Sequence, residues 1–305
     1  MKLGFNQFSD LSLEEFTKQF TGRLLLSDNQ LNSLVTPDKT TANNIANLVK
    51  KLPTPQPLRI GVSITLTPAP KASTNNPTDI GIFDWRKFGK ISSVKDQNGC
   101  GSCYAFSSVA ALESLLLMLN PSKYSTVNLS EQQIVDCSSN YGNYGCKGGL
   151  ELYVYQYTED FPVASENQYP YKSKDQACQT NSISNIGSLR TSSFVFKTRQ
   201  TAAQLREAVK IQPVSIGVCA GTDLQFYESG IISSACCRQN NHAVLLIGWG
   251  RQPVIQALIL LIRQLTDYFV KIKRSYWMQC TSSFMNINDQ KDWLRELSGS
   301  YIGYK

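Results

Sequence analysis

The segment Gln97-Asn98-Gly99-Cys100-Gly101-Ser102-Cys103-Tyr104-Ala105-Phe106 carries the residues best suited to covalent chemistry. Cys103 stands where an apolar repeat of helical spacing begins, behind a loop containing glycine. A helix N-terminus presents unpaired N–H groups and a partial positive charge, which stabilise a thiolate and lower the pKa of a thiol. The thiolate is the nucleophilic form, so this position suits covalent catalysis. Three other readings of Cys100 and Cys103 stay open at this point: half of a zinc site, a redox C-x-x-C pair, or two structural cysteines. A zinc site needs a second ligand pair, and Cys236 and Cys237 are adjacent and poorly placed to chelate. The chain has one histidine, His242, so any histidine-dependent step falls on it. His242 follows Cys103 by 139 positions and opens an apolar run that leads to Gly248-Trp249-Gly250.

Both residues need elements to hold them. From Cys103 to Asn120 the apolar residues Ala105, Val109, Leu112 and Leu116 recur at three-and-four spacing, which predicts a helix ended by Asn120-Pro121. Ser130 with Gln133 gives the start pattern of a second helix. Thr201 with Gln204 does the same for a third, near 202–210. Upstream, Ser12-Leu13-Glu14-Glu15-Phe16 resembles a helix start. From Pro213 onward the pattern turns to strands at 214–218, 243–249 and 259–262. Helices first and strands later predict an α+β arrangement in two halves rather than alternating βαβ units.

The chain has 305 residues, 42% hydrophobic and 17% charged, the balance of a soluble globular protein with room for a sizeable core. Its net charge of +7 includes no dense basic tract, so no nucleic-acid partner is expected. Nine cysteines suggest an oxidising compartment, and the odd count leaves at least one thiol outside any intramolecular bridge. The N-terminal residues lack the apolar core of a secretory signal. The most apolar later stretch, 254–262, is far short of the ~20 residues that span a bilayer and reads as a buried strand. Residues 53–78 hold half of the twelve prolines and read as an extended linker. They separate a polar segment, 1–52, from a stretch rich in aromatics, glycines and cysteines that begins near Asp79.

The run Cys100-Gly101-Ser102-Cys103-Tyr104, with a histidine ~130–150 residues downstream, is the local signature of the papain and cathepsin group. Further motifs follow in the same order. Asp84-Trp85-Arg86 resembles the start of the mature domain, and Leu129 to Gln133 with Asp136-Cys137 resembles the second helix. Cys146-Lys147-Gly148-Gly149 is similar to the substrate-binding glycine loop, and Pro213-Val214-Ser215 to a strand of the second half. Phe5-Asn6-Gln7-Phe8-Ser9-Asp10-Leu11 with Glu14-Glu15-Phe16 resembles the inhibitory propeptide of cathepsin L-like members. The chain is thereby identified as a papain-like cysteine peptidase zymogen, with a partial propeptide and linker over 1–78 and a two-lobed peptidase domain over 79–305. A helical lobe from about 80 to 190 and a strand-rich lobe after it are implied.

The resemblance implies Cys103 as nucleophile, His242 as its ion-pair partner and general acid/base, and Gln97 as an oxyanion-hole donor with the Cys103 N–H. It implies substrate contacts at Gly148 and Gly149. Leu150, Gly217 and Ala243 fall in the pocket for the residue before the one whose carbonyl is attacked; all three are uncharged, so an apolar side chain is expected there. Bridges Cys100–Cys146 and Cys137–Cys178 are implied, with one of Cys236 or Cys237 joined to Cys280 and Cys219 left as a small buried hydrophobe. No metal or organic cofactor is implied. The expected partners are protein or peptide substrates and the chain's own propeptide, cleaved off between about 70 and 82, in a monomer of the lysosome, vacuole or extracellular space. The sequence departs from the family in one respect. It has no Asn-Ser-Trp-Gly motif to orient the histidine and no Asn between Asn241 and Asn286. Aligning Ile259 to Arg263 with the preceding strand puts Gln264 in the place of that Asn. The alternative is a catalytically impaired homologue that binds peptides or proteins.

Overall fold

The computed structural model describes residues 2–25, 83–179, 195–197, 202–229, 231–232, 240–252, 255–261, 269–273 and 299–301. Within them run β1 (Lys2–Leu3), α1 (Leu13–Phe20), β2 (Phe83–Asp84), α2 (Cys103–Leu119), α3 (Glu131–Cys137) and α4 (Glu151–Asp160). The second half holds β3 (Val195–Lys197), α5 (Ala202–Ile211), β4 (Val214–Val218), α6 (Thr222–Gln225), β5 (Tyr227–Ser229) and β6 (Ile231–Ile232). It ends with β7 (His242–Gln252), β8 (Ile255–Leu261), β9 (Phe269–Lys273) and β10 (Gly299–Tyr301).

Two lobes follow from where the apolar side chains collect. In the first, α2, α3 and α4 enclose a core of Tyr104, Val109, Leu112, Leu116, Ile134, Val154 and Tyr155. In the second, Val214, Ile216, Val218, Val244, Leu246 and Trp249 from the sheet pack with Leu205 and Val209 of α5. The described strands run in the order β3-β10-β4-β7-β8-β9-β6, with β2 paired to β7. All neighbours are antiparallel except β6 and β9. The α+β, two-lobed expectation is therefore met.

The helix carrying Cys103 departs from the single apolar stripe read in the sequence. From Cys103 to Leu117 every residue of α2 is buried. One side meets the helical core, and the side with Ala110 and Ala111 lies against Leu245 and Ile247 of β7. Small residues there let helix and strand approach closely. The Ser107 hydroxyl donates to the Val244 carbonyl at 2.8 Å and also pairs with the Ser215 hydroxyl. The polar residue Glu113 is tolerated inside because the Lys95 ammonium lies 2.9 Å from its carboxylate and 2.8 Å from that of Glu131. Leu129 N–H also donates to Glu113.

The N-terminal segment belongs to the strand-rich core. The Ser12–Glu15 capping box starts α1 as the sequence predicts. The Phe8 ring lies 5.3 Å from Phe16 and 4.8 Å from Phe20, and Phe8 and Phe16 are buried with Phe83, Trp85 and Trp249. β1 pairs with β5. For α3, Ser130 accepts from the Gln133 N–H, but the Gln133 side chain turns away to Tyr157, Pro162 and Ala164, so half of the capping box forms. The linker read at 53–78, the domain boundary at 78/79 and the cleavage range lie outside the described residues.

Candidate active site

Cys103 is the first residue of α2 and, among the described residues, the free cysteine. The loop before it is fixed from several sides. Cys100 is bridged to Cys146, which rules out Cys100 as a zinc ligand or a redox partner of Cys103. The Tyr171 hydroxyl donates to the Gln97 carbonyl at 2.7 Å and pairs with the Ser102 hydroxyl at 2.7 Å. The Gln97 side chain is wholly buried, and its Nε2 donates to the Cys100 carbonyl at 2.8 Å. An amide nitrogen carries two hydrogens, so this bond fixes which end of the amide is the donor and leaves a second N–H.

The other wall is β7. Its first residue, His242, is buried and in register with Val218 of β4. Asn241, just before it, is pinned by the Ala220 N–H to its Oδ1 at 2.8 Å and by its Nδ2 to the Ala220 carbonyl at 3.1 Å. The two walls meet at the sulfur. The backbone N–H of Ala243, the residue after His242, hydrogen-bonds the Cys103 thiol. Burial pushes that thiol up to about 12, against the lowering effect of the Ala243 N–H.

The burial has a visible contributor. Thr21 to Leu24 cross between the walls as extended chain. Gly149 N–H donates to the Gly22 carbonyl at 2.8 Å, and Leu24 N–H to the Gly149 carbonyl at 2.9 Å. On the opposite side Gly22 and Arg23 N–H groups donate to the Asn241 carbonyl at 3.2 and 3.0 Å. Gly148 has φ +115°, and a Cβ there would stand 2.6 Å from the Gly22 carbonyl oxygen. Glycine is therefore required twice over. Gly149 is constrained by space alone, since a Cβ would lie 2.7 Å from the Tyr104 ring.

Next to Gly217 and Leu150, two of the residues expected to line a substrate pocket, lies an ion pair that the sequence reading does not include. Arg23 points its guanidinium past Gly217 to Glu151, with Nε 3.0 Å from Glu151 Oε1. Glu151 follows Leu150 directly in the glycine-loop motif, which is the signal that could have found it. Both expected helical-lobe bridges are formed, Cys100–Cys146 and Cys137–Cys178. Cys219 is itself disulfide-bonded, not the free buried thiol expected. Half-cystines and small hydrophobes are buried alike, so apolar surroundings in the sequence do not distinguish them. Its partner, together with Cys236, Cys237, Cys280 and Gln264, lies outside the described residues. Among the described residues no helix is long and apolar enough to cross a membrane.

The sequence matches a family model described as papain family cysteine protease over residues 81–287. It is 30% identical over 281 residues to a cathepsin L-like proteinase of Fasciola hepatica, covering 90% of this chain and 70% of that one. It is 36% identical over 174 residues to stem bromelain of Ananas comosus, covering 57% of this chain and 78% of the relative. Against cysteine proteinase 2 of Entamoeba histolytica the match spans 54% of the relative's length. Among solved structures, a recombinant stem bromelain precursor is similar with TM-score 0.66 and 26% identity, over 98% of this chain and 82% of that one. The proform of Amb a 11, a ragweed pollen cysteine protease, shares the fold with TM-score 0.69 at 23% identity, over 98% of this chain and 80% of that one.

Proposed function

Because the chain belongs to the papain family of cysteine proteases, we propose that it is an endopeptidase that hydrolyses protein substrates through an acyl-thioenzyme on Cys103. One observation carries the reading: a helix-terminal thiol from one lobe meets, at the Ala243 N–H, the strand of the other lobe that begins with the only histidine.

In this reading the Cys103 thiolate attacks the scissile carbonyl while His242, protonated, faces it as counter-ion. His242 gives its proton to the departing amine, and then takes one from the water that cleaves the thioester. The Cys103 N–H and the second N–H of Gln97 Nε2 hold the oxyanion; one such donor is typically worth ~3 kcal/mol of barrier. Gln264 orients the imidazole in place of an Asn. No metal or organic cofactor enters the scheme. Residues 21–24 keep the enzyme latent by filling the cleft from Gly149 to Asn241, held there by the rest of the N-terminal segment on the strand-rich core. A lysosomal, vacuolar or extracellular setting fits the disulfides.

The test is labelling of the activated protein by an epoxide thiol inhibitor, with the modified residue mapped by mass spectrometry and peptide cleavage measured beside it. Cys103→Ser is expected to abolish both. Labelling that maps to another cysteine would overturn the assignment. The missing Asn-Ser-Trp-Gly motif favours a second reading, a homologue that binds peptides without cutting them; labelling without turnover selects it. Under the first reading Gln264→Ala lowers turnover.

A further inference from the structure

Residues 21–25 put a buried arginine side chain into the cleft, and it meets a carboxylate. Arg23 and Glu151 are both buried, with side chains 4% and 2% exposed. Arg23 Nε lies 3.0 Å from Glu151 Oε1 and 3.3 Å from Oε2, and its Nη1 donates to the Asn240 carbonyl at 3.3 Å. The opposite wall is cut away to admit it: a Cβ on Gly217 would stand 2.6 Å from Arg23 Nε and 2.7 Å from Cζ. A pocket shaped by Leu150, Gly217 and Ala243 alone suits an apolar side chain. With Glu151 at the first turn of α4 it becomes a site for a cation on a long stem.

We infer that Glu151 selects substrates with arginine or lysine at the residue before the one whose carbonyl is attacked, and that Arg23 is the chain's own occupant of that site. The inference rests on the proposed peptidase reading for the identity of the pocket. Its physical basis is asymmetry. When residues 21–25 leave, Glu151 loses its ion partner in a pocket that Gly149, Gly217 and Ala243 keep largely apolar. An incoming guanidinium restores a charge-assisted hydrogen bond, whereas a leucine buries the carboxylate without one. Arginine gains over lysine because its planar fork can bond Glu151 and the Asn240 carbonyl together.

The full chain is expressed, activated and assayed on two fluorogenic peptides that differ only at this position, Arg or Leu. The Arg peptide is expected to have the higher kcat/KM by roughly 10- to 100-fold, the range for a charge-assisted bond in a desolvated pocket. Glu151→Gln, which keeps the side-chain shape, should cut that ratio at least tenfold, and Gly217→Val should cut it by filling the space of the stem. Binding is read separately, by fluorescence anisotropy of the same two peptides. A ratio near one that Glu151→Gln does not move overturns the inference, while turnover of both peptides leaves the peptidase reading standing. If neither peptide is cleaved, the peptidase reading falls, and anisotropy decides: tighter binding of the Arg peptide, lost in Glu151→Gln, upholds the pocket. Equal binding of the two peptides overturns it.

Discussion

Gly22 of the N-terminal segment and Gly101 of the loop before Cys103 meet backbone to backbone, and neither has room for a side chain. A Cβ on Gly22 would collide with the Gly101 carbonyl, and one on Gly101 would stand 2.7 Å from the Thr21 carbonyl oxygen and 2.6 Å from that of Cys146. The fit of the covering segment is thus set where the segment passes the loop before Cys103.

Gly22→Ala should loosen the segment. Backbone offers no flexible end that can swing aside, and overpacking of this kind costs typically ~1–3 kcal/mol. Labelling of Cys103 by iodoacetamide in the full-length chain is expected to speed up about tenfold. An unchanged rate would mean that the segment reaches its place without this contact.

The Cys103 thiol should ionise differently in the two states. Burial holds it up to about 12 in the covered site, so below that pH the sulfur is a protonated thiol. Uncovering admits water and weakens the largest cause, burial, while the Ala243 N–H and the start of α2 still favour the thiolate. Alkylation rate against pH is expected to rise only at strongly alkaline pH in the latent chain. In the activated protein the rise should come well below 9.

Lys95→Met should be strongly destabilising. The ammonium faces Glu113 and Glu131, whose side chains are wholly buried, and it also donates to the Leu129 carbonyl at 2.7 Å. Removing the cation leaves two buried carboxylates without it, a loss on the order of 3–5 kcal/mol. The check is the urea midpoint at neutral pH, compared with Lys95→Arg, which keeps the charge and is expected to lose less.

Glu159 gives stability an acid preference. Burial first, and the neighbouring Asp160 second, push its carboxyl from 4.5 up to about 7. A raised acid binds more protons folded than unfolded, so its contribution is present below 4.5 and is lost as pH rises towards 7. Glu159 is exposed at the surface, so solvent screening keeps the effect modest. Glu159→Gln should flatten the fall in stability between pH 4.5 and 7, measured as the difference in urea midpoints. A variant with the same slope as the parent would remove Glu159 as its source.

The helix start at Cys103, the strand start at His242 and the bend at Gly148 are legible in the sequence because their causes are local. A thiol at a helix start, a glycine at φ +115° and a capping serine each depend on a few neighbours in the chain, so residue type and spacing record them. The strands 214–218 and 243–249 are legible for a similar reason, being apolar runs bounded by turn residues. Burial of α2 on all sides is not, because its second partner, β7, is supplied from more than a hundred positions away.

Three features were decided only by tertiary packing. Glu151 became half of a buried ion pair because Arg23, 128 positions earlier, was folded onto it. Cys219 became a half-cystine although its surroundings in the sequence read as those of a buried hydrophobe. The Cys103 thiol was pushed up rather than down, because burial outweighs the Ala243 N–H, the Arg23 charge and the helix start that favour a thiolate. Residue types fix what a side chain can do; desolvation and the identity of a distant partner fix which of those things it does, and both exist only once the chain has closed on itself.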